Sequence, residues 1–539
     1  MKQLKKLITI CLFVSLLFFY SCADWLDVAP IDRVLEERQF ATEDGINSAL
    51  NGVYRSMAHN NLYGELLTQT FIEYMARYYN FWNLANVPTA LVPWSQIARW
   101  QYQEDAVKSR ALRIWEHAFA TILEINVFLD NVRETDVVHP SRRDVMLGEA
   151  YALRAFLHFD MFRLFGPIMR LEPDALSIPF ADSRQTVSRE RLPASALINR
   201  VLQDLETAER LLENDPVRTR GVNDNFHQVS TNPTLTSIEI NEAHFRNRRM
   251  NYYAVRALRA RVLLHAGRFA EARELAREVL GEATRDFEGD GRFFQWERNW
   301  NQILQTNNFM FYNEVLFGIT NPNQHSNWTR LFDGTRQGYV HVVVAPNLFG
   351  NILGNAAITD LSTIVATDIR AGQWRQSNVL PGTSTGTGAG ITFISTKFRQ
   401  PVIENWNVAS ARYMIDFQPL IRISELPLII AEAYIAEAHN IEDGDTQAVM
   451  QAAANAINIV RENRRAIADQ LATTINDVPA YLMRQIYAEF VGEGQAFFFL
   501  KRNAKTRIFS GFNATQITIN EADLSRTFVV PLPDSEIMI

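Results

Sequence analysis

In EAYALRAFLHFDMFRLFGP, residues 149–167, Leu153, Leu157, Met161 and Leu164 recur at helical spacing, and Gly166 with Pro167 supplies a cap and a stop. This pattern predicts an amphipathic helix. NYYAVRALRARVLLHAGRFAEARELAREVLGE, residues 251–282, predicts two helices hinged at Gly267. Small Ala260, Ala272 and Ala276 stand where two antiparallel helices approach closely, and Phe269 follows the turn, the layout of a tetratricopeptide-like hairpin. One hairpin cannot bury its own face, so other helices must stack on it. The stretches that qualify are Trp115–Val132, Glu149–Phe165, Leu426–Ala438 with Gln447–Arg464, and Ala480–Phe490. The expected fold class is mostly α: a tetratricopeptide-like helix-pair scaffold with long irregular insertions and a few short strands.

Residues 283–420 have another character. Aromatics, Asn and Gly alternate with short β-like runs, EVLFGIT and VHVVVAP. Gly382–Gly390, GTSTGTGAG, lacks the GK[ST] ending of a P-loop and the spacing of a dinucleotide motif, and it reads as a surface loop. Long insertions on a rigid scaffold are where binding function concentrates. The polar stretch Asn214–Asn241 is the best boundary, dividing an N-terminal region 22–240 from a C-terminal region 241–539.

The chain opens differently. Lys2, Lys5 and Lys6 precede an uncharged run from Leu7 to Tyr20, too short to span a bilayer and of signal-peptide length. Residues 1–21 are expected to be a sorting signal. Cys22 follows small Ser21 where cleavage would fall, the arrangement of a lipobox cysteine that is acylated. The chain has only two cysteines, and Cys11 would leave with the signal, so Cys22 is expected to anchor the protein by lipid and no disulfide can form. No later apolar stretch reaches transmembrane length.

Composition narrows the partners. The chain is 47% hydrophobic and carries net charge −7; loss of the three signal lysines makes the remainder more acidic. That argues against nucleic acid, whose affinity comes from clustered Lys and Arg. Arg246, Arg248, Arg249, Arg256, Arg259, Arg261 and Arg268 are the densest basic run and are expected to form a solvated helix face.

No HExxH or cysteine nucleophile is present, and the one G-x-S-x-G match, GTSTG at 382–386, falls in the glycine stretch read as a surface loop, so no catalytic residue and no metal or other cofactor is assigned. His117, His158 and His265 sit singly on helical patterns and read as structural. The informative stretch is YMARYYNFWNLANVPTALVPWSQIARWQY, residues 74–102. Its Tyr and Trp rings are interleaved with Asn, Gln and Ser, and Pro88 and Pro93 interrupt any helix. Aromatic faces bind the apolar faces of sugar rings while amides bond hydroxyls, which makes a surface that binds without reacting. The predicted ligand contacts are Asn80, Trp82, Asn83 and Trp94, with Trp328 from the later insertion; Trp296, Trp300 and Trp374 could face the same site.

Eight short motifs in order resemble the SusD/RagB family of outer-membrane nutrient-binding lipoproteins. SCADWLDVAP is similar to the family's mature start, FATEDGINSALNGVY (40–54) to its first helix, and IWEHAFATILEINVFLDNV (114–132) to its W-x-x-x-Y-x-x-I-x-x-x-N helix, with Phe119 in place of Tyr. EAYALRAFLHFDMFRLFGPI, ELPLIIAEAYIAEA, INIVRENR, EFVGEGQAFFFLKR and VVPLPDSEI follow. The chain departs from the family pattern at Tyr487 and Ala488, where Glu-Arg is usual, and at Phe499 and Leu500, where Asp-Leu is usual. The resemblance moves Trp115 from ligand contact to scaffold.

The resemblance implies a cell-surface, lipid-anchored outer-membrane protein that is not an enzyme. It implies a SusC-type TonB-dependent transporter as partner, to which the protein delivers oligosaccharide. Peptide ligands are the alternative within the same architecture. A surface-anchored glycoside hydrolase and a scaffold that binds only protein are the rivals outside it.

Overall fold

The computed structural model describes residues 31–79, 89–185, 189–222, 245–285, 294–332, 368–379, 387–399, 416–439, 446–465, 477–509 and 516–537. Cys22, Asn80, Trp82, Asn83 and the run VHVVVAP lie outside them.

Ten scaffold helices, numbered in chain order, carry the fold: α1 (Glu43–Met57), α2 (Asp105–Val132), α3 (Pro140–Phe165), α4 (Ala194–Leu211), α5 (Tyr252–His265), α6 (Phe269–Ala283), α7 (Glu425–Ala438), α8 (Thr446–Asn463), α9 (Val478–Glu489) and α10 (Gln495–Arg502). From α1 to α8 each packs on the next, and α9 closes on α7 and α8. This is the stacking of helix pairs that a repeat needs to bury its apolar face. One continuous core runs from Ile46 to Val530.

Local chemistry sets the boundaries. The Thr42 hydroxyl accepts from Gly45 N–H at 3.1 Å and caps α1, and Asn251 accepts from Ala254 N–H at 3.0 Å and caps α5. Gly267 turns the chain between α5 and α6 with φ +76°, a conformation costly for any residue with a Cβ. Ala260, Ala272 and Ala276 are fully buried in this hairpin, as the small-residue pattern requires. Helices α2 and α3 start earlier than their apolar periodicity shows. Their first turns, DAVKSR and PSRRDV, are charged and meet water, so only Pro140 at the head of α3 marks a start.

Among the described residues there are four antiparallel two-stranded ribbons: β1 (Leu176–Pro179) with β2 (Arg191–Pro193), β3 (Val315–Thr320) with β6 (Phe417–Arg422), β4 (Trp374–Val379) with β5 (Thr387–Ser395), and β7 (Arg507–Phe509) with β8 (Gln516–Thr518). EVLFGIT forms β3 as predicted. The end of the glycine stretch departs from the surface-loop reading, because Thr387–Gly390 begins β5, whose Thr387 pairs with Val379 of β4; 382–386 lie outside the described residues. Thr387, Ile391, Thr392 and Phe393 lie in the same strand, and this β-branched and aromatic content draws the neighbouring glycines into the ladder.

The basic run is a second correction. Arg246, Arg256 and Arg261 are 4%, 6% and 1% exposed rather than solvated. Arg261 forks onto Glu425 with two 2.6 Å bonds, and Arg246 forks onto Asp215. Their acidic partners are remote in sequence, so local charge patterning could not show the pairing.

The insertion is pinned to the helices by a buried charge network. Arg422 binds Glu489 at 2.7 Å and Glu493 at 2.9 Å; Arg464 binds Glu314 at 2.7 Å and Glu489 at 2.6 Å. Arg370 binds Asp368 and Gln485, and Lys397 binds Glu493. Four cations thus face the four carboxylates of Glu314, Asp368, Glu489 and Glu493. Buried charges persist only when paired and hydrogen-bonded in this way.

Candidate functional site

Most aromatic residues of the 74–102 stretch are core. Tyr74, Tyr78 and Tyr79 are buried, and the Tyr79 hydroxyl donates to Gln69 O at 2.7 Å. Trp100 Nε1 donates to Met75 O at 3.1 Å, its ring packs edge-on against Phe528, and Arg77 lies over it. The Tyr102 hydroxyl donates to Thr527 O. These bonds tie the stretch to its own start and to the C-terminal segment.

Trp94, like Trp100, is only partly buried. It lies on the short helix Val92–Ala98, with Pro93 in its first turn, and is half-buried. Its ring stacks on Tyr74 with centroids 5.0 Å apart and planes 18° apart, and the Arg110 guanidinium sits 4.5 Å from its centroid. Two protein groups therefore already occupy part of the ring surface. Glu65 and Arg330 pair at 2.5 Å beside this cluster. Burial, then the Glu65 charge, pushes the Tyr74 hydroxyl far above its ordinary range, while Arg110 and Arg330 oppose it. Burial also lowers the affinity of Arg110 for its proton. The corner thus offers a held indole, a guanidinium stacked on it and an ion pair. Segment 80–88, which carries Asn80, Trp82 and Asn83, joins Tyr79 to this helix.

Trp328 does not belong to the corner, which corrects the sequence expectation. It is 5% exposed, and its Nε1 donates to Ser395 O at 3.0 Å, fastening the helix Gln324–Phe332 to β5. A ring so covered has no face for a sugar. Trp374 is equally covered, Trp300 packs against Gly372, and Trp296 lies by Arg464. Trp115 is a scaffold residue, edge-on to Phe165 at 5.1 Å. His158 accepts from Ala181 N–H, and burial pushes its pKa down to about 3, so it is a neutral structural histidine.

Sequence reading missed Arg110, Glu65 and Arg330. Arg110 sits in the charged first turns of α2, and Glu65 meets Arg330 across 265 residues, so only the fold brings them to Trp94. It also missed a recess of about 700 Å³ between α1, α3 and β3, lined by Tyr54, Glu149 and five arginines.

Taken together, the stacked helix pairs and the charge-pinned insertion define a helical-repeat scaffold carrying an irregular lobe. The family described as starch-binding associating with outer membrane matches residues 24–224, and the SusD family matches residues 376–538. The chain belongs to the SusD/RagB family. It is 26% identical over 218 residues to SusD-like protein P38 of Formosa agariphila and 25% identical over 165 residues to SusD-like protein P25 of the same organism. These stretches span 39% and 31% of those relatives' lengths, and 39% and 30% of this chain. A SusD superfamily protein from Bacteroides vulgatus superposes with TM-score 0.64 at 18% identity, covering 92% of this chain and 97% of that one. A SusD-like carbohydrate binding protein from Bacteroides vulgatus superposes with TM-score 0.61 at 16% identity, covering 92% and 96%. At such identities the superpositions speak for the fold.

Proposed function

We propose that the protein is a lipid-anchored outer-membrane component that captures oligosaccharide at the Trp94 corner and passes it to a SusC-type TonB-dependent transporter. The observation that carries the reading is the half-buried Trp94, held flat by buried Tyr74 and bearing the Arg110 guanidinium. A ring fixed by a core residue loses little freedom on binding, and a guanidinium beside it supplies donors for sugar hydroxyls. Asn80, Trp82 and Asn83 complete the proposed site, and Cys22 is the proposed lipid attachment. Family membership supports both the carbohydrate ligand and the membrane association. The protein binds its ligand without chemistry in this reading.

A glycan and peptide array on the protein lacking its lipid tests the proposal. Glycan spots retained by the unaltered protein and lost by Trp94→Ala are expected. Retention of peptides alone would move the ligand class, and cleavage of a bound glycan would make the protein a hydrolase.

A further inference from the structure

The recess between α1, α3 and β3 has a charge balance unlike the rest of this acidic protein. Arg55, Arg142, Arg246, Arg248 and Arg249 line it, and Glu149 is its one carboxylate among the described residues. That carboxylate is fully engaged: Oε1 accepts from Arg246 at 2.5 Å, and Oε2 accepts from the Tyr54 hydroxyl at 2.8 Å. Arg246 is held again by Asp215, and Arg142 by Glu43 and Asn47. Even with these outer carboxylates counted, five guanidiniums face three carboxylates among the described residues.

Arg249 shows where a ligand would sit. It lies 4.5 Å over the Tyr54 ring, donates to Asn51 through Nη2, and keeps Nη1 3.7 Å from the engaged Glu149 oxygen. Nη1 is shielded from water yet makes no hydrogen bond. An unused buried donor carries a desolvation cost that an incoming acceptor would relieve. Arg55 stands exposed at the rim with no ion-pair partner among the described residues. Leu50, Val145, Met146 and Ile319 add apolar surface to the lining. The volume of about 700 Å³ suits a ring-sized molecule.

We infer that this recess is a second binding site, for a sugar-sized organic anion whose carboxylate or sulfate is taken by Arg249 and Arg55. A guanidinium fork can bind two oxygens of either group, and the apolar lining residues accept the carrier. None of its lining residues belongs to the Trp94 corner. Only the choice of a sugar as carrier rests on the proposed function; the anion preference stands on the arginines.

Calorimetric titration of the intact soluble chain with sodium glucuronate, sodium sulfate and glucose separates the possibilities. Glucuronate, sulfate or both should bind, glucose should not bind at this recess, and raising salt should weaken the anions. Arg249→Gln should lower anion affinity about tenfold or more, a factor of ten being about 1.4 kcal/mol. Arg55→Gln, at an exposed position with no structural bonds to lose, should weaken binding without moving the melting temperature. Trp94→Ala should leave anion binding intact, so failure at either site is read separately. Silence with both anions, or equal binding by the Arg55→Gln, Arg249→Gln double variant, would overturn the inference.

Discussion

Trp94 lies nearly flat on Tyr74, with ring centroids 5.0 Å apart and planes 18° apart. Tyr74 is 2% exposed, so the lower ring is part of the core and holds the upper one in place. The hypothesis that Trp94 is a ligand contact therefore carries a stability cost as well as a binding one. Trp94→Ala should weaken glycan affinity about tenfold, since an aromatic contact is worth about 0.5 to 1.5 kcal/mol beyond its area. It should also lower stability by about 1 to 2 kcal/mol through the lost half-burial. Titration and a thermal melt on the same sample check both. Unchanged affinity in a folded variant places the ligand elsewhere.

Glu73 is the odd carboxylate beside the balanced network. It is fully buried, and one oxygen accepts the N–H groups of Gly492 at 3.1 Å and Gly494 at 2.9 Å. Burial raises its pKa to about 8, against the partial relief of those N–H groups and of Lys397. The folded protein therefore binds this proton more tightly than the unfolded chain does. Its stabilising effect is complete below about pH 4.5 and is lost as pH rises toward 8. Glu73→Gln keeps an acceptor for the glycines and cannot ionise. The predicted outcome is that denaturant melts at pH 5 and pH 8 differ less in the variant than in the parent, by up to about 3 kcal/mol. Equal pH dependence in the two proteins would show that Glu73 does not hold the proton.

Glu489 has the opposite character. Burial raises its pKa, but Arg464, Arg422 and Arg370 together hold it well below the ordinary carboxylate range. Removing that charge leaves guanidiniums buried without compensation, so Glu489→Gln is expected to cost about 3 to 5 kcal/mol. The loss should be visible as a lower urea midpoint, and limited proteolysis should then cut the insertion first, because the network is what pins it. A midpoint within about 0.5 kcal/mol of the parent would mean that the pairs are not formed.

The scaffold was legible because its signals are local. Leu153, Leu157, Met161 and Leu164 mark α3 by spacing alone, and Gly267 with Ala260 and Ala272 marks the α5–α6 hairpin. The site was only half legible. Aromatic density at 74–102 singles out the segment that carries Trp94, but the same rings also build core, and burial of Tyr78 and Tyr102 depends on α9 and the distant Phe528 segment. Tyr487 shows this well. Read as a lost charge, it instead donates its hydroxyl to Ala76 O at 2.7 Å and packs 4.8 Å from Tyr78. Trp328 misleads for the same reason: its partner, Ser395, is 67 residues away. Glu489 and Arg422 carry no periodic signature at all.

The hairpin offers a sharp packing test. Ala260 in α5 is fully buried, as are Ala272 and Ala276 across the turn in α6. Ala260→Leu adds three heavy atoms at this buried position and is expected to push α5 from its neighbours, at a cost of about 1 to 3 kcal/mol. Ala270→Leu, in the same hairpin but partly exposed, is the control and should be near neutral. Melting temperatures that move equally for both variants would show that the contact is not tight.

Cys22 bears the proposed attachment to the membrane. The uncharged run Leu7–Tyr20 and small Ser21 stand directly before it, and no described helix is long and apolar enough to cross a bilayer. In this proposal membrane retention comes from lipid: acyl chains contribute about 0.8 kcal/mol per buried CH₂, so two or more chains hold where one is marginal. Cys22→Ala removes the acylated thiol without touching a disulfide, since the other cysteine, Cys11, lies in the proposed signal. The variant should therefore move from the detergent-extracted membrane fraction to the soluble fraction, with the melting temperature of its folded body unchanged. Metabolic labelling with a fatty acid should mark the parent and not the variant. A variant that still needs detergent for release, or that still takes the label, rules out Cys22 as the anchor and shifts retention to an uncleaved Leu7–Tyr20 segment, which deletion of that segment would then confirm.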